Sequence, residues 1–179
     1  YVDRLPPCNA TCPAGENIQQ WLFHAEEGHY EAAWRVLTRD NPLAAIMGRV
    51  CYHPCEGACN RGQLDESVGI NAVERFLGDE ATRQGWCFDP VTTESGKRVM
   101  VVGSGPAGLS AAYHLRSKGH GVVIFEAEPL AGGMLRYGIP QYRLPRAVID
   151  SDVQRIIDMG VELRLGQRIE DIQATMQQE

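Results

Sequence analysis

Apolar residues recur at helical spacing through the first half of the chain, and then the period changes. Ile18, Trp21, Leu22 and Ala25 fall three and four apart, as do Ala32, Ala33, Val36 and Leu37, which predicts two amphipathic helices. Gly28 separates them. Asn41-Pro42 ends the second, because Pro42 cannot continue a helix but suits the first turn of the next. A further helix is expected over residues 70–83, with Val73, Phe76, Leu77 and Ala81 on its buried face. No β alternation of useful length interrupts this half, which reads as α-helical with cysteine-bearing loops.

Residues 98–102 form a short, continuous apolar run, as a buried parallel strand does. A glycine loop follows, then a helix over residues 109–115 ended by Gly119, and a second strand over residues 122–125. Residues 145–159 carry Val148, Ile149, Val153, Ile156 and Ile157 at helical spacing, and residues 161–165 read as a third strand. Strands alternating with helices predict a doubly wound parallel sheet. Residues 85–97, rich in Gly, Pro, Thr and Ser, have the content of a connector. The chain thus divides into a helical domain, residues 1–90, and an α/β domain, residues 91–179.

Composition narrows the class. With 44% hydrophobic and 22% charged residues, wholesale disorder and low-complexity architecture are excluded. The 17 basic and 23 acidic residues leave a net charge of −6, which indicates neither nucleic acid nor an anionic membrane as partner. No apolar run approaches the roughly 18–20 residues that cross a bilayer, and residues 1–20 lack a secretory signal's basic start and apolar stretch. A soluble, cytoplasmic protein is expected. The chain opens on Tyr1 and stops at Glu179 within a polar, helix-like run, which reads as a piece of a longer polypeptide.

Five of the six cysteines, Cys8, Cys12, Cys51, Cys55 and Cys59, precede the connector, and Cys87 lies within it. Without a secretory signal, metal ligands or thiols are expected rather than disulfides. Cys8-x3-Cys12-Pro13 is the closing half of a bacterial-ferredoxin ligand run, and Cys51-x3-Cys55-x3-Cys59 repeats the spacing. Zinc prefers Cys-x2-Cys or Cys/His knuckles, which this chain lacks. An iron–sulfur cluster is therefore the leading reading, with zinc and buried thiols as alternatives. Cys87 reads as an unliganded thiol. The five histidines lack ligand spacing; His53 reads first as a structural residue, with a hydrogen bond near a cluster as the alternative.

Gly103-Ser-Gly-Pro-Ala-Gly108 fits G-x-G-x-x-G between a strand and a helix, the context that gives the pattern its weight. Gly103 permits the tight turn, Gly105 lets backbone approach a pyrophosphate, and Gly108 allows close helix–strand packing. The positive helix end favours phosphate. Glu126, at the end of the second strand, is placed to accept hydrogen bonds from both ribose hydroxyls and disfavours a 2′-phosphate, pointing to FAD or NAD. A glycine pair, Gly132-Gly133, gives room for a long, extended dinucleotide.

Gly103-Ser-Gly-Pro-Ala-Gly-Leu109, Phe125-Glu126, Gly132-Gly133, Gly138-Ile-Pro140 and Arg143-Leu-Pro145 resemble the FAD-binding domain of the glutamate synthase small-subunit family. That family includes the N-terminal region of dihydropyrimidine dehydrogenase. Pro7-Cys-Asn-Ala-Thr-Cys-Pro13, Arg49-Val-Cys51, Cys55-Glu-Gly-Ala-Cys59 and Gly69-Ile-Asn-Ala-Val-Glu-Arg75 resemble its helical iron–sulfur domain. The resemblance implies an α-helical Fe–S domain followed by a Rossmann-like, glutathione-reductase-type FAD-binding domain, the latter incomplete in this chain. It implies one 4Fe–4S cluster on Cys12, Cys51, Cys55 and Glu74, where the plain alternative for Glu74 is a solvated helix carboxylate.

Cys8 and Cys59 match two ligands of the family's second cluster, which stays open. Its other two belong to an upstream Cys-x2-Cys, whose later position is Asp3 here, more readily a surface carboxylate than a ligand. Cys51 and Cys55 also stand closer together than in the best-known members. The implied cofactor contacts are Gly103, Gly105, Pro106, Ala107, Gly108, Glu126, Gly132, Gly133 and Met134, with Tyr137 near the flavin or at the rim of the core. By resemblance the complete protein oxidises NADPH or NADH and passes electrons through FAD and the cluster to a partner subunit or domain. Its nicotinamide domain would lie beyond residue 179, since no second glycine loop is present. Two other readings compete: a zinc-stabilised, non-catalytic adaptor with a nucleotide-binding domain, and a regulatory NAD sensor with inert thiols.

Overall fold

The computed structural model describes residues 5–178, so Asp3 lies outside the described residues. The chain divides into two compact units, Tyr1–Trp86 and Cys87–Glu179. Among the described residues no helix is long and apolar enough to cross a membrane.

The first unit is all helical: α1 (Pro7–Thr11), α2 (Ile18–Glu26), α3 (Tyr30–Thr38), α4 (Ala44–Val50), α5 (Pro54–Gly57), a 3-10 turn (Asn60–Gln63) and α6 (Ile70–Gln84). Asn17 caps α2 by accepting the Gln20 N–H, and Gly85 ends α6 in the left-handed conformation. Trp21, Trp34, Leu37, Ile46 and Leu77 fill the core between α2, α3, α4 and α6. The tightest contact is α4 on α6. A Cβ on Gly78 would lie 2.5 Å from the Ala45 Cα, and one on Gly48 would lie 2.4 Å from the Arg75 Cα.

That approach rotates α6 away from the expected face. Ile70, Glu74, Leu77, Gly78 and Ala81 are buried, whereas Val73 is half-buried and Phe76 is 45% exposed. Phe76 instead meets Tyr30 edge-on, with ring centroids 5.0 Å apart. Helices α1 and α5 are too short to leave a periodic signal, so Cys8 and Cys55 lie in helical turns rather than in the loops the sequence implied.

The second unit contains β1 (Arg98–Val102), α7 (Pro106–Ser117), β2 (Gly121–Phe125), α8 (Met134–Tyr137), α9 (Arg146–Ile157), β3 (Glu162–Arg164) and α10 (Ile172–Gln178). The strands are all parallel in the order β1-β2-β3, with Arg98 opposite Gly121, Val102 opposite Phe125, and Val123 opposite Glu162. The connections β1-α7-β2 and β2-α9-β3 make this a partial Rossmann-like sheet. Leu109, Ala112, Ile124, Leu144, Ile149 and Ile156 are its fully buried centre. β2 is buried because strands flank it on both sides. β1, expected to be buried, is only half so, because among the described residues it has a strand on one side only.

Candidate functional site

In the helical unit, packing brings three of the five candidate cysteines together. Cys12 ends α1, Cys51 ends α4, and Cys55 sits in the single turn of α5. His53 precedes α5 with φ of 40°, a left-handed conformation uncommon for a residue with a side chain. The bend aims its backbone N–H at the Cys51 Sγ, 3.2 Å away. The contact is thus made by the His53 backbone, while its ring Nδ1 lies 3.1 Å from the Cys51 carbonyl.

The three thiols share one electrostatic environment. Burial pushes all three pKa values up, and Cys55 is pushed up to about 12 by burial together with the charges of Cys12, Cys51 and Glu56. Backbone amides pull the other way: those of Glu16, Ala14 and Gly15 at Cys12, of His53 at Cys51, and of Glu56 at Cys55. Crowded thiols, Cys55 buried and Cys12 and Cys51 half-buried, each met by N–H donors, fit an iron–sulfur cluster, whose irons supply the missing positive charge and whose sulfurs accept such bonds. Among the described residues no group of three or more His, Cys, Asp or Glu side chains is arranged to hold a single metal ion. A four-iron cluster takes one protein ligand per iron and does not require such an arrangement.

Glu74 is not a solvated carboxylate. It is 6% exposed, and its Oε1 accepts from the Asn41 Nδ2 at 2.8 Å, its Oε2 from the Asn71 Nδ2 at 3.3 Å. Burial, and then the charge of Glu16, pushes its carboxyl up to about 8, against the pull of the two asparagines. It is close enough to Cys51 for its charge to raise that thiol.

Glu16 was not singled out by any motif. It is buried, takes the Trp21 indole N–H at 3.1 Å and Asn41 at 3.0 Å, and burial raises its pKa as well. Asn41, legible in the sequence only as helix punctuation, bridges the two carboxylates.

The Cys8 Sγ lies 3.6 Å from the Asn9 Oδ1. The Val68 amide pulls the Cys59 pKa down, burial opposes it, and the amides of Arg61 and Gly62 with the Arg61 charge leave it lowered. Cys87 is exposed.

In the α/β unit the glycine loop is built as its pattern demands. Gly103 turns with φ of 95°, and a Cβ on Gly108 would lie 1.9 Å from the Gly103 carbonyl oxygen. Gly105 faces open space, where a Cβ would meet nothing within 4 Å. It caps α7 with Pro106 at the first position, so the amides of Ala107 and Gly108 have no acceptor within the helix. A loop with an open glycine at a helix start fits a pyrophosphate. Gly133, with φ of 49°, packs its Cα side against Gly105, where a Cβ would lie 2.8 Å from the Gly105 Cα. Met134 and Tyr137 are exposed beside it, and the Tyr137 hydroxyl donates to the Leu130 carbonyl at 3.3 Å.

Glu126 is held more firmly than the sequence implied. Its Oε2 accepts from the Ser104 N–H at 2.8 Å and the Ser104 hydroxyl at 2.5 Å, and its Oε1 from the Glu128 N–H at 2.9 Å. A carboxylate has about four acceptor directions. Three are used within the protein, so accepting both ribose hydroxyls requires Ser104 or Glu128 to yield one. Ser104 is fully buried, and the Gly132 N–H meets its carbonyl at 3.1 Å. It thereby ties the first glycine loop to the ribose acid and to the second glycine pair.

Comparison with known proteins matches two family descriptions to parts of the chain. Residues 4–86 match the family described as dihydropyrimidine dehydrogenase domain II, 4Fe-4S cluster. Residues 101–158 match an NAD(P)-binding Rossmann-like domain. The NADP(+)-dependent formate dehydrogenase subunit beta of Moorella thermoacetica is 38% identical over 96% of this chain and 27% of its own length. The glutamate synthase (NADPH) small chain of Azospirillum brasilense is 38% identical over 88% of this chain and 33% of its own length. The NAD-dependent dihydropyrimidine dehydrogenase subunit PreT of Escherichia coli O157:H7 is 35% identical over 91% of this chain and 40% of its own. The chain thus spans well under half the length of these relatives.

Proposed function

Since the chain belongs to the glutamate synthase small-subunit-like family, we propose that it is the electron-transfer part of an NAD(P)H-dependent oxidoreductase. The observation that carries this reading is the convergence of Cys12, Cys51 and Cys55 with the buried Glu74, in a chain that also builds a dinucleotide loop. When bound, a flavin supplies the conversion of a hydride's electron pair into single electrons, and a 4Fe–4S cluster their relay.

The chain's own residues hold these groups. Cys12, Cys51, Cys55 and Glu74 would be the ligands of the cluster. The amides of Gly15, Glu16, His53 and Glu56 bond the thiolate sulfurs and withdraw charge from them. In the other unit, Gly105 and the first amides of α7 receive the pyrophosphate of FAD, and Glu126 receives the adenosine ribose. Gly132 and Gly133 leave backbone room for the extended dinucleotide, and Met134 lines it. The second glycine pair favours FAD over NAD at this site. Cys8 and Cys59 are offered to a second cluster, with NAD(P)H bound elsewhere in the complete protein and the electrons leaving to a partner subunit or domain.

Rapid mixing of the complete, anaerobic protein with NADPH or NADH tests the reading. Flavin bleaching should precede the paramagnetic signal of a reduced cluster. Cys51→Ser should keep the bleaching and lose electron delivery to an added one-electron acceptor that draws on the cluster. Undiminished cluster reduction in that variant would overturn the assignment.

A further inference from the structure

We propose that Asn41 and Glu16 are positioning residues that present the Glu74 carboxylate to the cysteine cluster, an inference that rests on Glu74 being a cluster ligand. Asn41 is buried just beyond α3 and is fixed on every polar atom. Its Oδ1 accepts the Leu43 N–H at 3.2 Å, and its Nδ2 donates to both Glu16, at 3.0 Å, and Glu74, at 2.8 Å. The other Glu16 oxygen is pinned by the indole of Trp21, itself 0% exposed. A continuous path of hydrogen bonds therefore runs from the core, through Trp21, Glu16 and Asn41, to Glu74.

The geometry leaves Glu74 ready to ligate. Asn41 holds one oxygen and Asn71, one turn earlier on α6, holds the other. Of about four acceptor directions on a carboxylate, two are used, so each oxygen keeps a lone pair for iron. Two buried carboxylates side by side repel each other. One amide NH2 group carries two protons in a fixed fork and can satisfy both at once, which no apolar residue at position 41 could do. Partners that orient a ligand from behind affect metal binding nearly as strongly as the ligand itself. Glu16 thus acts as the anchor of the fork, with Asn41 as the fork.

The test compares Asn41→Ala, Glu16→Gln and Glu74→Ala in the complete protein, loaded with its cluster and purified without oxygen. The readouts are iron content, the g values of the reduced cluster, and its midpoint potential. Glu74→Ala should change the g values. Asn41→Ala should retain most of the iron but give altered or split g values and a shifted potential, because the carboxylate is no longer held in one orientation. Should Asn41→Ala lose its cluster, Glu16→Gln decides, because it is isosteric and keeps an acceptor for Trp21. It should give a smaller change in the same g values. Native g values with a shifted potential in Glu16→Gln would make Glu16 a purely electrostatic neighbour and overturn the proposal. Native g values in Asn41→Ala alongside altered ones in Glu74→Ala would overturn it too, leaving the ligand intact. Native g values in Glu74→Ala would instead remove the ligand reading on which it rests.

Discussion

The two units carry their chemistry in opposite ways. In the helical unit the proposed donors are side chains from distant points of the chain, Cys12, Cys51, Cys55 and Glu74, gathered by the packing of α1, α4, α5 and α6. In the α/β unit the site is mostly backbone, with Gly103 to Gly108 and Gly132-Gly133 as consecutive residues around a strand end and a helix start. A site made by tertiary convergence fails when any one contributor is lost. A site made of local backbone fails chiefly when something bulky is added.

The largest expected effect tests the first half of that contrast. Helix α1 has five residues, none of them buried, and α5 has four, of which only Cys55 is buried. Helices this short are not stable by themselves, and the proposed cluster would fix them. Cys51→Ser, or removal of iron by a chelator, should unlock hydrogen exchange throughout α1 and α5. The amides of α2, α3 and α6, anchored by Trp21, Trp34 and Leu77, should stay protected. Unchanged exchange in α1 and α5 would break the comparison.

Added bulk should act on either unit through close backbone approaches. Gly78→Ala drives a methyl against Ala45 in the helical unit, and Gly108→Ala drives one against Gly103 in the other. Overpacking of this kind costs about 1–3 kcal/mol, read as a lowered midpoint in the melting of the affected unit only. Gly108→Ala should also weaken flavin retention, whereas Gly78→Ala should not.

Glu126→Ala should weaken cofactor binding by about 1.5–3 kcal/mol, the worth of a hydrogen bond to a charged group, with no change in iron content. The same residue predicts a smaller pH effect. Burial opposes its ionisation, but the Ser104 hydroxyl and the amides of Glu128, Ser104 and Ala127 outweigh it, holding the carboxyl below its ordinary value of 4.5. A depressed folded pKa contributes stability above the unfolded pKa, and that stability is lost as pH falls through the folded one. The melting difference between the native α/β unit and Glu126→Gln should therefore narrow on acidification below that ordinary value. At the small end, the exposed Arg61–Asp65 pair should be dispensable, with Asp65→Ala leaving thermal melting unchanged.

The same contrast explains what the sequence disclosed. The glycine loop, α2, α3, α6 and all three strands were legible because their signals are local: periodicity, a motif and its flanks. The orientation of α6 was not. Gly78 and Gly48 set it through contact with a helix some thirty residues away in the chain, and this turned Phe76 outward. Glu16, Asn41 and Ser104 lay hidden for the same reason. Each is an ordinary polar residue until packing places it against Glu74 or Glu126. The half-exposure of β1 depends on which strands flank it, and no feature of its own five residues records that.

Chemical analysis of the protein purified without oxygen tests the central claim most directly, by counting iron, acid-labile sulfide, zinc and flavin per chain. The account predicts about four irons and four sulfides, together with flavin, and about eight of each if Cys8 and Cys59 also serve a cluster. Stoichiometric zinc without sulfide would contradict it.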